Sequence, residues 1–292
     1  MGLHDSFHNR QPQPGATGRP GSGRVRPVEA FENVWQVGFL YPHAVVGNLQ
    51  YDVVIIRVDT QSRFSFLATV FETVDNKVGE HLVQPGMVYI SHPTEYGTLY
   101  TMDELEIISA ICRTNRIPLF LDGARLAYAL ACPANDVTLA DIARLADVFY
   151  IGGTKCGSLF GEAVVIPERG SIRQFVTQMK QHGALLAKGR LLGVQFEALF
   201  EDGLYLTIGE PAVKATARIR EALKRAGYVV TMDSPTNLTF VALDQAGHER
   251  LSDKVRYSIW ETLPDGRLLA RIGTSWATPE EDVVAFEQAL AR

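Results

Sequence analysis

The sequence predicts an α/β fold: a large domain on a mostly parallel sheet, then a smaller C-terminal α/β domain. Three observations carry this. From about Gln84 to Ile166, short apolar runs alternate with segments of helical period, the rhythm of βαβ units. After Pro167 that rhythm gives way to longer amphipathic helices. From Tyr228 to the end, short strands and helices alternate again.

The elements follow in order. Residues 1–27 combine Pro12, Pro14, Pro20 and Pro27 with Gly15, Gly18, Gly21 and Gly23, four arginines and one acid. Such a segment buries too little apolar surface to offset its chain entropy, so it is read as a disordered tail. Residues 28–76 carry two runs of strand composition, Tyr51–Val58 and Phe64–Val70, and no catalytic pattern. Met87–Ser91 is read as a strand. Thr101 and Glu104 form a capping box ahead of Leu105, Ile108, Ile111 and Cys112 at helical spacing. Pro118–Asp122 is a strand ending in an acid, Thr138 to Leu145 a short helix, and Asp147–Ile151 a buried strand running into Gly152-Gly153-Thr154-Lys155. Glu162–Ile166 is a further strand. Helices are expected over Ser171–Leu186, Leu191–Asp202, Ala212–Ala226, His248–Tyr257 and Pro279–Ala291, with strands over Tyr228–Met232, Leu238–Leu243 and Leu268–Ile272.

Composition bounds the function. The 292 residues suit one large domain or two smaller ones; 46% are hydrophobic and 21% charged. That excludes a wholly disordered, collagen-like or membrane-embedded chain. Lys plus Arg number 28 against 33 Asp plus Glu, a net charge of −5, which leaves no global footprint for nucleic acid. No apolar run reaches the ~20 residues that span a bilayer. The three cysteines, Cys112, Cys132 and Cys156, are too scattered for a disulfide framework or a zinc site. With no secretory signal pattern at Met1, the reading is a cytoplasmic enzyme without a metal.

Two residues stand out chemically. Asp122 ends one apolar strand and Lys155 lies just past the next, and in an open α/β sheet ligands bind outside the carboxyl ends of strands. A lysine crowded by apolar neighbours has a lowered pKa and becomes a usable amine nucleophile. An aspartate on the adjacent strand can keep a pyridinium nitrogen protonated. Lysine, aspartate and a nearby arginine are the minimal kit for pyridoxal 5′-phosphate (PLP) chemistry. Taken alone, Asp122 also suits a helix N-cap and Lys155 a solvated loop. The glycines do not make a P-loop, because GxxxxGK[ST] spacing is absent. His92 and Glu95 fall in a loop after a strand, where His92 reads as a bland loop histidine ahead of a proton-transfer group; Cys156 reads as a small packing residue, and Lys188 and Arg190 as a solvated helix face ahead of contacts to the phosphate of a neighbouring subunit.

Leu121-Asp-Gly-Ala-Arg125 followed by Phe149-Tyr-Ile-Gly-Gly-Thr-Lys155 resembles the threonine aldolase / β-eliminating lyase family. The likeness extends through Pro85–Ser91, Pro93–Tyr100, Gly161–Ile166, Leu186–Gly193 and Thr274–Thr278, within residues 78–292. The resemblance implies a fold-type I, aspartate aminotransferase-type large domain (residues 77–200) and a small domain (residues 201–292). It implies that Lys155 bonds to PLP, with Asp122 at the pyridine nitrogen and Thr154 beside the cofactor. Arg125 would bind cofactor or substrate carboxylate, and Arg271 the substrate carboxylate. The implied reaction cleaves the Cα–Cβ bond of a β-hydroxy amino acid, L-threonine or L-allo-threonine, to glycine and acetaldehyde. The implied assembly is a homodimer or homotetramer.

The family's phosphate-binding turn, ring-stacking histidine and base histidine have no counterpart upstream of residue 78. His4, His8, His43 and His81 lack the expected context. The large domain is therefore expected to be incomplete at its N-terminal side. Two alternatives stay open: an inactive chain acting through self-association alone, and a β-eliminating lyase of an aromatic amino acid.

Overall fold

The computed structural model describes residues 85–291, all within one compact unit, Leu49–Arg292. The expected tail (1–27), the runs Tyr51–Val58 and Phe64–Val70, and His4, His8, His43 and His81 lie outside the described residues.

The first sheet holds β1 (Val88–Ser91), β2 (Leu119–Gly123), β3 (Val148–Ile151) and β4 (Ala163–Val165), in that order. β1, β2 and β3 are parallel, as the alternation of strand and helix predicts. β4 is antiparallel to β3. A parallel neighbour needs a crossover of a dozen residues or more, and the link over residues 152–162 is too short.

The crossover helices form where the sequence places them. α1 (Met102–Asn115) starts at the expected box: Thr101 Oγ1 accepts from the Glu104 amide at 3.3 Å, and Glu104 Oε2 accepts from the Thr101 amide at 2.9 Å. Leu105, Ile108 and Cys112 then face inward, each aliphatic side chain contributing roughly 1.5–3 kcal/mol when fully buried. A short helix the sequence did not signal, α2 (Leu126–Leu130), follows β2. α3 (Leu139–Leu145) begins at the Thr138–Asp141 box. Against one face of the sheet, Leu105, Ile108, Leu126 and Ile142 meet Ile90, Leu119, Leu121 and Phe149 in one core.

Downstream, the expected long helix over Ser171–Leu186 is only α4 (Phe175–Gln181). Left-handed residues bracket it, Gln174 at φ 54° and Gly183 at φ 69°. α5 (Arg190–Phe200) is followed by a 3₁₀ turn and α6 (Leu204–Thr207). α7 (Glu210–Arg225) packs with α9 (Glu280–Ala291) over a second sheet. That sheet is wholly antiparallel, in the order β5 (Val229–Val230), β6 (Leu238–Leu243), β8 (Leu268–Gly273), β7 (Ser258–Thr262). α8 (Gln245–Ser252) stops earlier than expected, and β7 was not expected as a strand. It is an exposed edge strand interrupted by a bulge, so it lacks clean two-residue alternation.

The two sheets are joined at the loop after β1. Ser234 Oγ and Thr236 Oγ1 both donate to the Gly97 carbonyl, at 3.1 and 2.7 Å. Gly97 sits at φ +76°, and a Cβ there would lie 2.3 Å from Ser234 Oγ. Tyr96, beside it, packs on Leu238, Phe240 and Leu269 of the second sheet.

His92 is fully buried at the start of this loop, facing Tyr100 with ring centroids 6.3 Å apart. Neither ring nitrogen makes a well-formed hydrogen bond among the described residues. Burial pulls its pKa down to about 4, and Asn135 and Asp136 only partly offset this. The imidazole is therefore neutral across the physiological range. Above pH ~6.5 the ring is neutral folded and unfolded. As pH falls from 6.5 toward 4, the unfolded chain takes up a proton that the folded chain refuses, and stability drops. Between pH 6.5 and 4 the unfolding free energy from urea titration should fall more in the wild type than in His92→Leu. The expected excess is on the order of 3 kcal/mol; an equal fall in both proteins refutes it.

Candidate active site

The parallel register brings the carboxyl ends of β1, β2 and β3 to one rim. Asp122 lies opposite Ser91 on one side and Tyr150 on the other. Alternation along the strands puts Tyr89, Phe120, Asp122 and Tyr150 on the sheet face opposite the helical core. Tyr89 stacks on Phe120 with ring centroids 5.2 Å apart, and Phe120 meets Tyr150 at 6.0 Å. This aromatic row ends at the Asp122 carboxylate, only 5% exposed. Its Oδ1 accepts from the Ala124 amide at 2.9 Å, and Oδ2 accepts from the Tyr89 hydroxyl. Burial first, then the Asp122 charge, push the Tyr89 and Tyr150 phenols well above their ordinary pKa. Both hydroxyls thus remain protonated beside the carboxylate.

Past β3 the chain turns through Gly152 and Gly153. A Cβ on Gly152 would meet the Ala124 carbonyl at 2.4 Å, so only glycine lets the two loops close. Two buried tyrosines pin the turn. Tyr205 of α6 donates to the Gly152 carbonyl at 2.8 Å, and Tyr128 of α2 donates to the Lys155 carbonyl. The Tyr128 oxygen also accepts from the Trp276 amide at 3.4 Å. Cys156, fully buried, is the packing residue expected.

The Lys155 side chain is solvent-accessible, yet enough protein surrounds its ammonium to lower the pKa. Desolvation is the largest cause and the Arg125 charge the next; Glu95, Asp122 and Glu162 oppose them. Thr154 is exposed, its hydroxyl turned to the Gly161 carbonyl at 3.5 Å.

Arg125, at the N-cap position of α2, pairs with Glu95 at 3.6 Å; their side chains are 15% and 18% exposed. Arg271 comes from β8, and its guanidinium carbon lies 4.5 Å from the centroid of the Trp260 ring. Burial lowers its pKa first; Arg125 adds to this and Glu95 opposes it. The structure thus brings Lys155, Asp122, Arg125 and Arg271 to one rim. Sequence reasoning missed Tyr89, Tyr150 and Trp260, and saw Glu95 only as a loop residue. Tyr89 carried no local signal, because it reaches Asp122 only through the pairing of β1 with β2. Lys188 and Arg190 are exposed, as expected.

The sheet that carries this rim has the fold of the fold-type I PLP enzymes. The sequence profile of the beta-eliminating lyases matches residues 47–246, starting ahead of the motifs that carry the resemblance. The chain belongs to the beta-eliminating lyase family. It is 36% identical over 141 residues to a low specificity L-threonine aldolase of a Pseudomonas species, covering 48% of this chain and 40% of the relative. To the low specificity L-threonine aldolase of Pseudomonas aeruginosa it is 30% identical over 206 residues, covering 70% of this chain and 58% of the relative. The chain therefore spans between 40% and 58% of the length of these curated relatives. The solved structure of Leishmania major threonine aldolase superposes with a TM-score of 0.73 at 43% identity, covering 77% of this chain and 66% of that one.

The lowered pKa of Lys155 has a direct readout. In competitive acetylation followed by mass spectrometry, its reactivity should rise with pH at a midpoint below the ~10.4 of an ordinary lysine. Arg125→Leu, which removes the second-largest cause, should move that midpoint back up. A wild-type midpoint at the ordinary value would refute the crowded-amine description.

Proposed function

We propose that the chain is a PLP-dependent carbon–carbon lyase that cleaves β-hydroxy amino acids such as L-threonine or L-allo-threonine into glycine and an aldehyde. The observation that carries this is the convergence of Lys155, Asp122, Arg125 and Arg271 at one strand-end rim. The donor set fits PLP: an amine whose pKa is lowered by desolvation, a buried carboxylate with hydrogen-bonding capacity to spare, and two guanidinium groups. When bound, PLP supplies the electron sink for the charge left at Cα.

The chain's own residues do the rest. Lys155 Nζ is the attachment point, because its lowered pKa leaves more of the neutral nucleophile near pH 7. Asp122 would pair with the pyridine nitrogen and keep it protonated. Tyr89 and the Ala124 amide fix its carboxylate, so the charge is preorganised. Arg125 and Arg271 grip the substrate carboxylate and set the orientation of the bond to be broken. Thr154, next to Lys155, would border the cofactor. The relatives' names support the substrate class.

The full chain should turn yellow with PLP, and borohydride should fix the cofactor on Lys155, located by peptide mass spectrometry. Glycine should then form from L-threonine or L-allo-threonine. Asp122→Asn should lower kcat by about 10²–10³-fold, and Lys155→Ala should abolish labelling and turnover. Failure to take up PLP sinks the proposal, and ammonia with pyruvate as products would assign β-elimination instead.

Self-association is part of the same reading. Leu185, Leu186, Leu191, Val194, Leu204 and Leu206 are large exposed apolar side chains on consecutive segments. Sedimentation should show a dimer or tetramer, and a monomer at micromolar concentration would remove this element. Three free, buried cysteines suit a cytoplasmic setting. Among the described residues no helix is long and apolar enough to cross a membrane.

A further inference from the structure

We infer that Trp260 is a positioning residue for the substrate carboxylate: its ring fixes the Arg271 guanidinium, while Tyr96 locks that ring to the loop whose Glu95 holds Arg125. This deepens the proposed function and rests on its reading of Arg271.

The geometry argues it from three sides. First, β7 is the edge strand, and its register slips between Ile259 and Glu261, which face Ala270 and Leu269. Trp260 is the extra residue of that bulge. A bulge re-aims a side chain, and this one lays an indole over a guanidinium on the neighbouring central strand, 4.5 Å from ring centroid to carbon. Second, the ring is braced. Tyr96 and Phe240 meet it edge-on with centroids 6.1 and 6.0 Å away, and meet each other at 5.3 Å. Tyr96 Oη also donates to Glu261 Oε1 at 3.3 Å. Third, Tyr96 follows Glu95, which pairs with Arg125. One aromatic cluster therefore sets both arginines.

Arg271 needs such a hold. In register it faces Phe240 on one side and Ser258 on the other, and neither bears an acid. A ring face fixes a cation without taking up its N–H donors. The fork remains free for a carboxylate, whereas a salt bridge would occupy it.

The test uses the full chain, with Trp260 replaced site-specifically by mono-, di- and trifluorotryptophan. These keep the shape and progressively drain the negative ring face. Two quantities are read: KM and kcat for L-threonine, and the calorimetric Kd for glycine with and without PLP. KM and the PLP-bound Kd should rise stepwise with fluorine number, to about five- to thirtyfold at three fluorines, while kcat holds within about twofold. Trp260→Phe, with a smaller ring face, should fall between. Arg271→Ala keeps the two claims separable. If it weakens glycine binding while the fluorine series is flat, the Trp260 inference is overturned and the carboxylate reading stands. If it leaves glycine binding unchanged, the reading of Arg271 falls and takes the inference with it.

Discussion

The rest of the structure depends on a single buried charge, the Asp122 carboxylate. Placing an anion at 5% exposure costs several kcal/mol unless hydrogen bonds and nearby cations compensate. The Ala124 amide, two residues along the same chain, and the Tyr89 hydroxyl supply the hydrogen bonds, and the second exists only because β1 and β2 pair in this register. A slip of one residue would move Asp122 into the Leu119–Leu121 core and expose that core's leucines. The carboxylate therefore reports on the sheet's register as well as on its chemistry. The same register puts the turn after β3 beside it, so Lys155 reaches the same rim.

Across this rim the two sheets divide the work. The first supplies the acid and the amine, and the second supplies Arg271. They meet at polar contacts with the backbone: Ser234 and Thr236 on Gly97, and Tyr128 between the Lys155 carbonyl and the Trp276 amide. Backbone contacts suit a joint that must be exact, because they fix main-chain positions whatever the rotamers do. Tyr128 is fully buried and its pKa is pushed up to about 12 by desolvation, so it keeps its proton for the Lys155 carbonyl. A shift of the Thr274–Trp276 segment is thereby felt at the turn that carries the amine.

What the sequence made legible was local. Asp122 and Lys155 could be read because each follows a continuous apolar run and meets glycine, a pattern written within ten residues. The capping boxes at Thr101 and Thr138 were legible for the same reason. Tyr89 was not, since its contact with Asp122 depends on pairing between strands separated by a whole helix. Trp260 was hidden twice over, by an edge strand too irregular to recognise and by a bulge with no sequence signature of its own. The helix expected over Ser171–Leu186 fails for the opposite reason. Its composition suits a helix, and backbone turns at Gln174 and Gly183 cut it short.

Glu95 then takes on a meaning that neither arginine has alone. Two guanidinium groups that feel each other's charge repel, and desolvation sharpens the repulsion. Glu95 lies against Arg125 and its field reaches Arg271 and Lys155, so one carboxylate offsets three cations. An incoming carboxylate competes for those charges with an acid already in place, which limits what its binding can gain. Arg271 is the partner with the freer donors, because an aromatic face holds it where a carboxylate holds Arg125. The division of labour follows: Arg125 is kept in place by an acid that the substrate must share, and Arg271 is kept in place by a ring that the substrate need not displace.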